Sequence, residues 1–137
     1  MEQMDSVIGE YFRNLDDGEA AAAAALFAEH ASYIRPVMDC DGVPTPELES
    51  IKGRDAIEAY FVARGTRPYR HTIRSAVRDG DTEFVEGFVD TSEGPLTTVF
   101  LATASLDQHS RIVRYFATAT SVTSEGLEAL NRTSLPA

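Results

Sequence analysis

The chain has 137 residues, 43% hydrophobic and 25% charged, proportions that fit one globular domain. No stretch approaches the roughly 20 apolar residues of a membrane-spanning helix. Twelve basic against 22 acidic side chains leave a net charge of −10, which repels phosphate backbones and anionic lipid surfaces, so neither nucleic acid nor membrane is an expected partner.

The start, Met1-Glu2-Gln3-Met4-Asp5, is acidic and has no basic region ahead of an apolar core, so no secretory signal is read there and cytoplasmic residence is the expectation. From Met4 to Leu15, apolar residues recur at Met4, Val7, Ile8, Tyr11, Phe12 and Leu15, the spacing of one buried helical face. Gly18 interrupts this helix. Glu19 to Glu29 predicts an alanine-rich second helix anchored by Leu26 and Phe27, folded back on the first as a hairpin. Ala31 to Pro36 predicts a short strand. Val37 to Lys52, with its glycine and prolines, predicts a long loop of the kind often used as a lid. Cys40 lies in that segment; as the one cysteine it excludes an intrachain disulfide and a cysteine-built zinc site.

A third helix begins near Gly53, buries Ile57, Tyr60 and Phe61, and closes around Arg64-Gly65. From Tyr69 the period changes to two. Tyr69, His71, Ile73, Ser75 and Val77 alternate with Arg70, Thr72, Arg74, Ala76 and Arg78, so the arginines mark the wet face and His71 points inward. Asp79-Gly80-Asp81 is a hairpin signal. A two-residue loop there puts Phe84, Glu86, Phe88 and Asp90 on the face of His71, unless a bulge intervenes and flips every side chain beyond it.

Turns at Ser92-Glu93-Gly94-Pro95 and Asp107-Gln108-His109-Ser110 bound strands from about Leu96 to Leu106 and Arg111 to Val122, completing an antiparallel meander. Phe100, Ala102, Ala104 and Leu106 share one side of the third meander strand, with Val99 and Leu101 on the other. One apolar face needs the helices; the other predicts a homodimer through the outer sheet face. Residues 1–122 are read as a single domain and 123–137 as a C-terminal tail, weakly helical near Leu127 to Leu130.

This order resembles the nuclear-transport-factor-two-like superfamily over nearly the whole chain. The residues that carry the likeness are Tyr11 through Glu19, Leu26 through Pro36, Gly53-Arg54-Asp55-Ala56-Ile57 with Tyr60-Phe61, and Arg111-Ile112-Val113. The superfamily includes SnoaL-like polyketide cyclases, ketosteroid isomerases, and scytalone and bile-acid dehydratases. The resemblance implies an α+β fold, a cone of three helices packed on a strongly curved, mostly antiparallel sheet enclosing a pocket. Set against the isomerases, Tyr11 falls where their oxyanion-hole tyrosine stands. Arg35, in Tyr33-Ile34-Arg35-Pro36, occupies the position of their proton-carrying aspartate, and Phe100-Leu101-Ala102-Thr103 lacks their second acid. That mechanism is therefore not expected. The dehydratase branch fits better, because it implies a tyrosine and an aspartate from the first helix region and a histidine from the first long strand, which Tyr11, Asp16 and His71 supply. The second pocket histidine of the scytalone-type enzymes is not supplied by His30 or His109.

Each candidate also has a structural explanation. Asp16, in Asp16-Asp17-Gly18-Glu19, would serve equally to end one helix and cap the next. Tyr11 and His71 would serve as core residues with satisfied polar atoms. Tyr33, Arg35, Tyr60, Glu86, Phe88 and Tyr115 are the candidate ligand-binding residues. Arg35 offers a guanidinium to an anionic or carbonyl oxygen, or pairs internally; Glu86 is either a desolvated general acid or half of an ion pair with Arg35 or Arg114. No glycine-rich phosphate loop, G-x-S-x-G elbow or H-E-x-x-H spacing occurs, so no nucleotide cofactor, serine hydrolysis or local metal motif is expected. Two functions stay open: a cofactor-independent dehydratase, isomerase or cyclase acting on a hydrophobic ring compound, and a non-catalytic ligand-binding or dimeric scaffold module.

Overall fold

The computed structural model describes residues 6–90 and 96–132. Met1 to Asp5, the turn expected at Ser92 to Pro95, the side chain of Asp90 and the tail from Thr133 lie outside the described residues. Helix α1 (Val7–Asp16) forms where the predicted apolar stripe meets the core, and it buries Ile8, Tyr11, Phe12 and Leu15. Ser6 caps it, its hydroxyl accepting the Gly9 N–H at 2.9 Å. From the sheet, the buried Glu83 carboxylate accepts the N–H groups of Val7 at 2.9 Å and Ile8 at 3.0 Å, placing negative charge on the positive end of the helix. This contact ties the start of α1 to the sheet and so fixes Tyr11 and Asp16 further along it.

The second helix is shorter than its composition predicts. α2 spans Ala20–Ala24, and strand β1 (Phe27–Met38) begins where the helix was expected to continue. The Leu26 carbonyl accepts the Ile112 N–H at 2.8 Å and the Phe27 carbonyl accepts from Arg54 Nε at 2.8 Å, so pairing across the molecule overrides local helix propensity. The expected long loop is also corrected: β2 (Pro44–Lys52) pairs antiparallel with β1, from Ser32 opposite Lys52 to Met38 opposite Pro44. It is an edge strand, the one place in a sheet where Pro44 and Pro46 fit without breaking a ladder on both sides. In the turn between them, Asp39 Oδ1 accepts the N–H groups of Asp41 and Val43, and Cys40 is exposed.

Helix α3 (Arg54–Arg64) buries Ile57 and Phe61 and stops at Gly65, whose φ of 69° lies in the left-handed region. Then follow β3 (Arg70–Asp79), β4 (Thr82–Asp90), β5 (Thr97–Leu106), β6 (Ile112–Val122) and α4 (Ser124–Asn131), a full helix where weak helical character was expected. The strands form one sheet in the order β2-β1-β6-β5-β4-β3, antiparallel except where β1 runs parallel to β6. Between β5 and β6, the N–H groups of Arg111 and His109 bond Asp107 and hold its carboxyl below the usual aspartate range. The α+β architecture is as expected, with α4 added.

The register of β3 and β4 overturns the predicted facing. Asp79 pairs with Thr82, Val77 with Phe84 and Ser75 with Glu86, but Ile73 pairs with Gly87 and His71 with Val89. Arg74 is the extra residue of a bulge. Odd-numbered residues of β4 therefore share the His71 face: Glu83, Val85 and Val89 are buried, whereas Phe84 is 49% exposed. Glu86 and Phe88 belong to the outer face. Glu86 accepts from Arg74 at 2.7 Å, and Arg74 also donates to the Leu130 carbonyl at 2.9 Å, which ties the end of α4 to the outer face.

Candidate active site

The inward half of β3 delivers His71 to the end of α1. The Asp16 carboxylate accepts twice from this one residue, Oδ2 from the His71 backbone N–H at 2.7 Å and Oδ1 from Nδ1 at 2.8 Å. Both side chains are shielded, Asp16 to 3% and His71 to 12% exposure. The His71 ring stacks on Phe12 at 4.2 Å with 2° between the planes, and Phe100 meets it edge-on at 5.6 Å. Ring position and the orientation of Nδ1 are thus set by three contacts. Nε2 has no hydrogen-bond partner among the described residues.

Beside the pair stands a cluster of buried tyrosines. The Tyr11 and Tyr33 hydroxyls are 2.7 Å apart, and Tyr33 stacks on Tyr115 at 4.8 Å. Burial pushes all three phenols up, Tyr33 to about 12 from an ordinary 10.0 and Tyr11 and Tyr115 well above that ordinary value. At neutral pH they stay protonated and remain hydrogen-bond donors.

A cavity of about 220 Å³ runs between these groups. Tyr11, Tyr33, His71 and Tyr115 line it, as do Phe12 and Phe100, and it reaches out to exposed Met38 and Pro44. It is smaller than the ~300 Å³ at which pockets for drug-sized ligands begin, so it suits a ligand of one or two rings. Two guanidiniums border it. Arg35 lies 3.4 Å from Glu49 through Nε and donates to the Tyr60 hydroxyl through Nη1. Arg64, at the end of α3, has two 3.4 Å hydrogen bonds, to the Gly65 carbonyl and the Tyr69 hydroxyl.

Of the residues singled out from sequence, Tyr11, His71, Tyr33, Arg35 and Tyr115 meet at this cavity, and Asp16 stands behind His71 without lining it. Tyr60 contacts the wall from outside, through Arg35 and a ring contact with Tyr33 at 5.6 Å. Glu86 and Phe88 are on the opposite face, as the bulge at Arg74 dictates, and the ion-pair partner of Glu86 is Arg74 rather than Arg35 or Arg114. Arg64 and Phe12 were missed. Phe12 sits in the predicted stripe beside Tyr11, while Arg64 reads in sequence as a cation ending a helix, where it complements the helix dipole. Among the described residues, no group of three His, Cys, Asp or Glu side chains stands close enough to hold a metal ion. No described helix is long and apolar enough to cross a membrane.

A curled six-stranded sheet, three helices (α1 to α3) over one face and a cavity opening between them are the features of the cone-shaped α+β class reached from the sequence. The chain belongs to the SnoaL-like domain family, whose profile matches residues 8–126. No curated protein matches it in sequence. Among solved structures, it is similar to a protein from Sphaerobacter thermophilus at 23% identity, covering 83% of this chain and 93% of that one with a TM-score of 0.63. It is also similar to an NTF-2 like protein of unknown function from Burkholderia xenovorans, at 12% identity over 95% of this chain and 93% of the other, with a TM-score of 0.67. A third is the epoxide hydrolase/cyclase-like enzyme SalBIII of pyran ring formation in the polyether salinomycin, at 19% identity, 83% and 88% coverage and a TM-score of 0.63. At these identities the likeness is one of fold.

Proposed function

We propose that the chain is an enzyme of the cofactor-independent lyase, isomerase or cyclase type, acting on a ring compound small enough to enter the cavity beside His71. The observation that carries this reading is the 2.8 Å contact of His71 Nδ1 with buried Asp16, which leaves Nε2 unpartnered among the described residues. A neutral imidazole that donates its Nδ1–H to a carboxylate presents a lone pair at Nε2, the form a general base needs. Protonated tyrosine hydroxyls on the same cavity supply donors to a carbonyl oxygen as it gains negative charge. Base and donor together suit proton removal beside a carbonyl. Loss of a neighbouring hydroxyl as water then gives dehydration, return of the proton at another carbon gives isomerisation, and attack of the enolate on a second carbonyl gives cyclisation. The salinomycin protein also carries a cyclase-like name, there for pyran ring formation.

The test is incubation of the purified protein with small cyclic β-hydroxyketones, enones and diketones, followed by chromatography and mass spectrometry. Conversion with loss of one water, or to an isobaric product, is expected, and it should fall about 10³-fold in His71→Ala. Turnover unchanged in that variant would remove His71 as the base, and the absence of any turnover would leave the non-catalytic ligand-binding module.

The reading includes a second copy of the chain on the outer sheet face. Val77, Phe84 and Leu101 are 55%, 49% and 55% exposed there, around an apolar depression of about 390 Å³ that Phe116 completes. Wild type is expected to sediment as a dimer and Phe84→Glu as a monomer with an unchanged circular dichroism spectrum. A monomeric wild type at concentrations well above the micromolar range would exclude this interface.

A further inference from the structure

The cavity is lined by basic but not acidic side chains in a strongly acidic protein. Arg35, Arg64 and His71 are its ionisable lining residues besides the tyrosines, and no aspartate or glutamate lines it, although the chain as a whole carries −10. The two arginines differ. Arg35 is occupied by Glu49 and Tyr60, whereas Arg64 has no carboxylate within 4.0 Å among the described residues and only two long bonds to neutral oxygens. A partly buried guanidinium without a counter-ion, on the wall of a cavity, is a place where an anion is stabilised by charge-assisted hydrogen bonds.

A second observation comes from Tyr115. Its side chain lines the cavity and is only 2% exposed, yet its hydroxyl has no hydrogen-bond partner among the described residues. No fully buried side-chain polar atom among the described residues lacks a partner, so this hydroxyl is accessible, a donor and acceptor open to a ligand in the cavity. Arg64 stands near His71, the guanidinium 5.8 Å from the centre of the Tyr69 ring and the His71 ring 6.1 Å from the same centre, and Tyr115 lines the same cavity as both.

We propose that Arg64 and Tyr115 form a carboxylate-binding end of this cavity, so that the preferred substrate is a small ring ketone that also bears a carboxylic acid. The inference rests on the reading of the cavity as the substrate site and adds the charged anchor. Phe12, Tyr33 and Phe100 hold the ring, Arg64 and Tyr115 hold the carboxylate, and His71 Nε2 is left for the carbon to be deprotonated. Specificity follows, because a neutral analogue leaves the guanidinium desolvated and unpaired.

The probes are 2-naphthoate and 2-naphthamide, which share shape and ring area and differ in charge, titrated calorimetrically into the full chain. The naphthoate is expected to bind at least about tenfold tighter, with a preference that shrinks as salt is added. Arg64→Gln should abolish the preference by weakening the naphthoate alone, and Arg64→Lys should retain part of it. Equal binding of the two probes to wild type, or a preference that survives Arg64→Gln, overturns the carboxylate anchor while leaving the ligand site in place. Binding of neither probe overturns both.

Discussion

Replacing Asp16 with asparagine is expected to move the His71 proton from Nδ1 to Nε2 and to lower turnover by about 10⁴-fold, with the fold retained. The argument turns on the double contact of the carboxylate. Oδ2 accepts the His71 backbone N–H at 2.7 Å, and that donor cannot be inverted. An asparagine must therefore keep its one oxygen there and turn its amide nitrogen toward the imidazole, facing Nδ1 across the 2.8 Å gap. A donor facing Nδ1 selects the tautomer protonated at Nε2, which has no lone pair to offer the cavity. Nitrogen-15 spectra of the imidazole read this directly and need no substrate. The wild-type Nδ1–H form should become the Nε2–H form, while Phe12 stacking holds the ring in place. An unchanged tautomer in Asp16→Asn would mean that Asp16 does not orient His71, and that its role is to bond the His71 backbone where α1 ends.

The same pair shows what a sequence carries in plain view. Tyr11, Phe12 and Leu15 fall on one helical face by spacing alone, and Asp16, four residues beyond Phe12, shares its side, so the end of α1 carries it toward the sheet. The inward direction of His71 follows from the alternation with Arg70 and Thr72, because that stretch of β3 precedes the bulge. On β6, alternation says only that Tyr115 and Arg114 face opposite sides; the family resemblance favours Tyr115, and it is Tyr115 that is buried while Arg114 is exposed. Short-range periodicity succeeds where the strand is regular up to the residue in question.

It fails where the information is elsewhere in the molecule. In β4, Phe84, Glu86 and Phe88 alternate with Glu83, Val85 and Val89, and both sets mix apolar and acidic residues, so β4 itself does not declare a face. The register is decided on β3, where one extra residue at Arg74 exchanges the two sets. The pairing of β2 with β1 was hidden by Pro44 and Pro46, which read as loop residues unless the strand is known to lie at an edge. Helix α2 ends early for the same kind of reason, since the Ile112 N–H that takes the Leu26 carbonyl is remote in sequence. Arg64 was hidden by a sufficient local explanation, as a cation at a helix end, that says nothing of the cavity beside it.

One residue of β4 did advertise the irregularity. Gly87, a glycine inside a strand, marks a bulge or a close approach of backbone, and it is both here. It sits opposite Ile73, at the edge of the bulge, and a Cβ built on it would lie 2.2 Å from the Thr72 carbonyl oxygen and 2.6 Å from Phe100 Cζ. The phenyl ring has some freedom to move; the carbonyl belongs to the β3 backbone and does not. Gly87→Ala is therefore expected to destabilise the protein by about 3 kcal/mol, the upper end of ordinary overpacking, because relief requires β3 and β4 to separate at the bulge. Urea unfolding should show the midpoint falling with an unchanged slope. The damage should also reach the site, since Phe100, the ring a methyl group at Gly87 would displace, packs edge-on against His71 and lines the cavity. Weaker ring binding should then accompany the lost stability. A variant with wild-type stability would show that β3 and β4 do not approach this closely at Gly87, and with that the bulge that turns Glu86 and Phe88 away from His71 would lose its support.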